Sequence, residues 1–200
     1  KTDTLAKVKK MVEKEPEVQA VLRKHKAVLN KHFETAAKSD STMTAGSTLS
    51  MSMERFCQDL FDRKVTKDVT VNPPPIVRGM ALPARHSNLS WLDAKGAFVT
   101  AQSGEGGQEG AETIDFDEFV VCLGLCGHIK YEPVAGMTTE QKVTCAVANF
   151  LGEKDASAAI GEALAPKVAR FDASQTVSLA GHSAAEHERW MATWGQMDLS

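Results

Sequence analysis

No apolar run in this chain approaches the roughly 20 residues needed to cross a bilayer, so a membrane is not an expected partner. Cysteine is scarce: the four residues at 57, 122, 126 and 145 are too few for a disulfide framework, which points to a reducing, cytoplasmic setting. Catalytic motifs are missing as well. None of the six histidines, at 25, 32, 86, 128, 182 and 187, sits in a recognisable constellation. GHS at 181–183 and GLCGH at 124–128 lack the strand and turn that a nucleophile elbow requires. The glycine-rich stretch SGEGGQEG (103–110) has no preceding strand and no following lysine, so it is not a phosphate cradle. The expectation is therefore a protein that is not an enzyme, with no catalytic residues, no cofactor, and neither nucleic acid nor membrane among its partners.

Charge of one sign is locally absent too. Between Ser103 and Glu118 there are six acids and no base, whereas Lys1–Lys38 holds ten Lys or Arg against five acids. The chain thus has a basic end and an acidic loop, although its net charge is only −3.

What is present is organised around TIDFDEFVVCLGLCGHIKY, residues 113–131. Thr113 and Ile114 favour an extended dipeptide, Asp115 is a good N-cap, and Glu118 three residues later completes a capping box. Phe116, Phe119, Val120, Leu123 and Cys126 then recur at spacings of three and four, which lines one helical face that must be buried. Cys122, Cys126, His128 and Cys145 form the best thiol or zinc group. A four-residue helical spacing suits core packing better than a structural zinc site, so no metal site is assigned to them.

Taken in order, 4–13 reads as a short amphipathic helix that Pro16 ends, with Pro16 suited to the first turn of the next. Residues 17–37 carry a continuous stripe of Val18, Val21, Leu22, His25, Val28, Leu29, His32, Phe33 and Ala36, with Arg23, Lys24, Lys26 and Lys31 mainly off it. Residues 38–50 read as a loop. Met51–Lys64 then repeats the organising stretch: Phe56 set against Phe119 places Met51 on Ile114, Ser52 on the capping Asp115, and Arg55 where Glu118 stands. Residues 65–87 form a connector, with Pro73, Pro74, Pro75 and Pro83 excluding a helix interior, and read as a docking strap or a strap packed on its own domain. Ser90 and Asp93 open a helix over 91–102, Thr138 and Gln141 open one to Leu151, and an Ala-rich helix over 156–164 is closed by Pro166. Trp190 and Trp194 mark a terminal segment that either folds back or anchors a partner.

The repeated pattern resembles an EF-hand pair. Ile114, Asp115, Phe116, Glu118 and Phe119 look like the second half of such a unit, with Glu118 at the last loop position and the loop beginning at Gly107. On that register Gly107, Glu109, Ala111 and Glu112 stand where oxygen ligands and a turn glycine are required, and in the first copy Arg55 replaces the bidentate carboxylate. The resemblance therefore implies the fold without its metal site. Were calcium to bind, Glu109, Asp115 and Glu118 would supply the ligands. HFETAA with MERFCQDLFDRKV, HSNLSWLDAKGAFVTAQ, IDFDEFVVCLGLCGHIKY and MTTEQKV further resemble EF-hand-derived modules of ciliary and flagellar axonemal proteins.

The expected fold is all-α: EF-hand-like helix pairs, additional C-terminal helices and a long proline-rich connector. Its parts are a basic helix at 1–16, the degenerate pair at 17–131, further helices of the same domain at 132–166 and a tail at 167–200. The resemblance implies a non-catalytic structural or adaptor protein of a cilium or flagellum. It would bind other axonemal proteins, tubulin among the candidate surfaces, through a helical groove and straps. Arg23, Lys24, Lys31, Pro73, Pro74, Pro75, Trp190 and Trp194 are the expected partner-binding residues. A calcium sensor with one unusual loop is the alternative.

Overall fold

Proline at 16 and short polar residues ahead of apolar runs set where the helices begin. A computed structural model describes residues 2–40, 49–71, 85–102 and 113–165. Among them are seven helices, α1 (Thr2–Lys14), α2 (Pro16–Lys38), α3 (Met53–Asp62), α4 (Trp91–Ala101), α5 (Phe116–Tyr131), α6 (Thr139–Phe150) and α7 (Ala156–Leu164). Four short strands accompany them, β1 (Met51–Ser52), β2 (Val69–Val71), β3 (Arg85–Ser87) and β4 (Thr113–Ile114), so the fold is mainly α.

The helix starts follow the sequence closely. Pro16 occupies the first turn of α2, where its missing N–H has no partner to lose. Ser90 with Asp93, Asp115 with Glu118 and Thr138 with Gln141 all close reciprocal capping boxes. Ser52 and Asp155 cap α3 and α7 through single bonds from Arg55 N and Ala158 N. Each such cap contributes about 1 kcal/mol and fixes where the chain turns.

Two units, α2 with α3 and α4 with α5, are joined by an antiparallel ribbon in which Met51 faces Ile114 and Ser52 faces Thr113. Met51 and Ile114, which occupy the same position in the internal repeat, are thus partners in this ribbon. Beneath the ribbon the phenylalanines meet. Phe119 lies 5.5 Å from Phe33, 6.1 Å from Phe56 and 5.7 Å from Phe150 between ring centroids. These separations lie within the range at which aromatic pairs attract.

The α5 helix is buried on nearly all sides, not on the single face expected. Besides Phe119, Leu123 and Cys126, it buries Cys122, Gly124, Leu125, Gly127, Lys130 and Tyr131. A helix apolar all round belongs in the middle of a fold, and α5 is covered by α1, α2, α4 and α6. The groove that would receive a partner's helix beside α5 is thereby filled by the chain's own elements. One expectation about the α2 stripe is corrected: Val28 is 49% exposed and leaves it. On α4, Leu92 and Val99 also face outward, at 79% and 59% exposure. Helical spacing alone does not say how wide a stripe its neighbours will cover.

A second, smaller cluster sits where α6 and α7 meet the end of α5, through Tyr131, Val134, Met137, Cys145, Ala159 and Ile160. Val69 and Val71 of β2 pack against it. The two ends of the proline-rich connector are not plain coil, because β2 pairs antiparallel with β3, Val69 opposite Ser87 and Val71 opposite Arg85. Ser87 is buried and its hydroxyl donates to the Lys130 carbonyl at 2.7 Å, which ties this ribbon to α5. Pro73, Pro74 and Pro75, the acidic stretch containing Glu109, and the tail with Trp190 and Trp194 lie outside the described residues.

Candidate functional site

Three places were open to function: the loop carboxylates, the basic face of α2, and any cleft the fold creates. At the first, the carboxylates serve the backbone. Asp115 Oδ1 accepts from Glu118 N at 2.8 Å, and Glu118 Oε2 accepts from Asp115 N at 3.1 Å. In the other unit, buried Asp40 accepts from Ser52 N at 2.8 Å, so it fixes the start of β1 and α3. Arg55, standing where a bidentate glutamate would be needed, turns to Asp59 at 3.6 Å. Among the described residues no group of three His, Cys, Asp or Glu side chains is placed to hold a metal ion.

All four cysteines are free and buried. Burial pushes the Cys57 and Cys145 thiols up to about 11 and Cys122 well above its ordinary range, with hydrogen bonding to Cys126 adding to the effect at Cys122. Thiols held protonated in this way are packing groups and poor nucleophiles.

At the second place, Arg23, Lys24 and Lys31 are all exposed on α2 and make no ion pair with any described residue. Lys26 stands apart from them, 5.9 Å above the Phe116 ring. The row keeps its charge facing outward, as its position off the apolar stripe suggested.

The third place has no counterpart in the sequence reading. Arg63, the residue that ends α3, is a keystone: its guanidinium donates to the Phe150 carbonyl at 3.0 Å and to His32 Nδ1 at 2.9 Å, and it lies 4.5 Å over the Phe150 ring. Buried Asp59 lies 3.6 Å from it. Burial, and then the Arg63 charge, lower the His32 pKa and keep that ring neutral so that it can accept. Beyond Arg63 the chain turns through Lys64, which takes φ 60° and is the one non-glycine residue with positive φ among those described. This turn, β2 and the α6–α7 junction enclose a cleft of about 480 Å³ lined by Arg63, Lys64, Lys67, Asp68, Asn149, Lys154, Asp155 and Ser157, among others.

Behind that cleft lies Lys130, which is fully buried. Its ammonium donates to the Val65 carbonyl at 2.6 Å and to Asn149 Oδ1 at 3.2 Å, both of them neutral acceptors. Desolvation brings its pKa down to about 8, partly opposed by Asp68. The signal that could have found it was faint: one lysine near the end of an otherwise apolar helix.

These shifts set a pH profile. His32 and His128 have lowered pKa values through burial, as do Lys130 and Lys142, so the unfolded chain binds more protons than the fold and stability rises with pH through their range. The thiols of Cys57, Cys122 and Cys145 and the Tyr131 phenol are raised, so the unfolded chain loses protons first and stability falls above their ordinary values. Three thiols and a phenol outweigh two lysines above the ordinary thiol value of 9.0. Urea midpoints should therefore climb from acid toward mild alkali, peak close to that value, and then decline. In Lys130→Met the rise on the alkaline side should be shallower. A profile flat from neutral pH upward would contradict the burial of these groups.

Compared with protein-family models, with curated proteins and with solved structures, the chain finds no match.

Proposed function

We propose that this chain is a non-catalytic protein-binding module, an EF-hand-like pair whose loops have become structural, acting as an adaptor in a ciliary or flagellar axonemal assembly. The observation that carries the reading is the β1–β4 ribbon. It pairs the two units through Met51 and Ile114 while Asp115 and Glu118 cap each other's backbone. Two-residue pairing between adjacent loops fits that descent, and Arg55 opposite Glu118 fits the loss of calcium from the first loop. With α1 and α6 packed on α5, recognition falls to the outer surfaces. The row Arg23, Lys24 and Lys31, which makes no ion pair with any described residue, suits an acidic partner such as the tubulin surface.

Two measurements test the reading. Calorimetric titration with calcium should give no heat in the micromolar range and no shift in melting temperature. Micromolar binding that disappears in Glu118→Gln would instead make the chain a calcium sensor. Cosedimentation with microtubules should be salt-sensitive and fall at least severalfold in the triple variant Arg23→Glu, Lys24→Glu, Lys31→Glu, with the fold kept. Sedimentation that is absent, or indifferent to the three charges, removes tubulin as the partner.

A further inference from the structure

Arginine offers no acceptor, and this decides the protonation state of any group to which it donates. We propose that the contact between His32 and Arg63, at the joint of α2, α3 and α6, is a proton-driven switch in which Arg63 leaves His32 for Asp59 when the ring takes up a proton. Arg63 Nη2 lies 2.9 Å from His32 Nδ1. That ring nitrogen must therefore accept, and the proton of the neutral imidazole stands on Nε2. Protonation adds an N–H at Nδ1, aimed at the N–H of Arg63. Two donors carrying two positive charges cannot share a 2.9 Å contact, so the pair must separate.

The fold already holds the place to which Arg63 moves. Its Nε is buried and forms no hydrogen bond with any described residue, and Asp59 Oδ2 lies 3.6 Å from it. A charge-assisted bond closes at about 2.8 Å, so a shift of roughly one ångström completes it. Asp59 is buried and is not saturated by its other cation, because Arg55 Nη2 also stands at 3.6 Å. The guanidinium lies 4.5 Å over the Phe150 ring, a face across which it can slide with no directional bond to break.

The groups around the ring set the direction of the switch. Asp59 and Arg63 face it from α3 and its end, Lys31 is its charged neighbour on α2, and the uncharged Phe150 ring of α6 meets it edge-on at 6.2 Å. Burial and then Arg63 keep the ring neutral to below the ordinary histidine value of 6.5, with Asp59 opposing them and Lys31 adding to them. The neutral arrangement therefore holds at pH 7, and the exchange occurs in acid.

Movement of Arg63 reaches beyond the ring. In the neutral arrangement Nη1 donates to the Phe150 carbonyl at 3.0 Å, which ties the last turn of α6 to the end of α3. Rotation toward Asp59 draws that donor away. It also acts on Lys64, next in the chain, whose left-handed backbone is kept at a cost. Acid thus loosens the joint between α3 and α6, and the turns that follow each helix, without dismantling the fold.

The test is an NMR titration of the full chain from about pH 7.5 to about 4.5, following the His32 ring, the Arg63 Nε–H and the amides of Lys64, Leu151 and Gly152. One shared midpoint below 6.5 is expected, at which the Arg63 Nε–H takes the shift of a hydrogen-bonded group. His32→Gln keeps an acceptor that takes up no proton. In that variant the Arg63 and amide transitions should be lost, and an unchanged melting temperature at neutral pH will show that it folds. Asp59→Asn removes the charge at the destination and should carry the His32 midpoint to lower pH. A ring that titrates while Arg63 stays in place would overturn the switch. So would Arg63 shifts that persist in His32→Gln, which would assign them to titrating carboxylates, or loss of the whole fold at the same midpoint.

Discussion

Phe119→Ala is expected to lower the stability of the fold by about 3–5 kcal/mol, the largest effect of any single truncation here. Phe119 is fully buried and its ring meets rings from α2, α3 and α6 as well as Phe116 on its own helix. Removing it leaves a void with walls supplied by four helices, none of which can collapse inward without disturbing the others. Phe116, only partly buried and at the edge of the same cluster, should cost appreciably less when truncated. Urea unfolding of both variants checks this. Equal losses would mean that the cluster has no centre, and that the ribbon above it is not held from below.

Gly127→Ala should also be destabilising, by about 1–3 kcal/mol or more, although alanine is the better helix former by roughly 1 kcal/mol. A Cβ at 127 would stand 2.6 Å from the Ala146 Cβ and 2.9 Å from the Lys142 carbonyl, both on α6. Backbone and a methyl stub cannot rotate away, so α6 must move as a whole. Because α6 also carries Phe150 and Asn149, the shift would reach the aromatic cluster and the contacts of Lys130. Gly96→Ala on α4 is the control, since nothing lies within 4 Å of its added Cβ. It should be neutral or stabilise the protein. The contrast between two helical glycines, read as a pair of melting temperatures, isolates close packing from propensity.

Much of the helical frame was legible because it is written in local chemistry. Capping pairs three residues apart, Pro16 at a helix start and apolar spacing along α2 act over one or two turns. The internal repeat set Met51 in the same position as Ile114, but an alignment carries no knowledge of distance, and that the two residues are strand partners comes from the fold. What escaped the sequence depends on which neighbour arrives. The outward turn of Val28, Leu92 and Val99, the burial of α5 on all sides, and the covering of its groove follow from where α1 and α6 dock. The cleft beside Arg63 was hidden for the same reason, since its halves lie in 63–70 and 149–157. The β2–β3 ribbon was masked by the prolines that follow Val71, whose effect on the backbone dominates any reading of that stretch.

That ribbon brings residues 71 and 85 side by side, and Ser87 fastens the pair to α5. The ends that any chain between residues 71 and 85 must join are therefore fixed by the ribbon itself. Loop-closure entropy grows only slowly with length, so residues gained or lost between those two positions should cost the core little and leave the distance it must span unaltered.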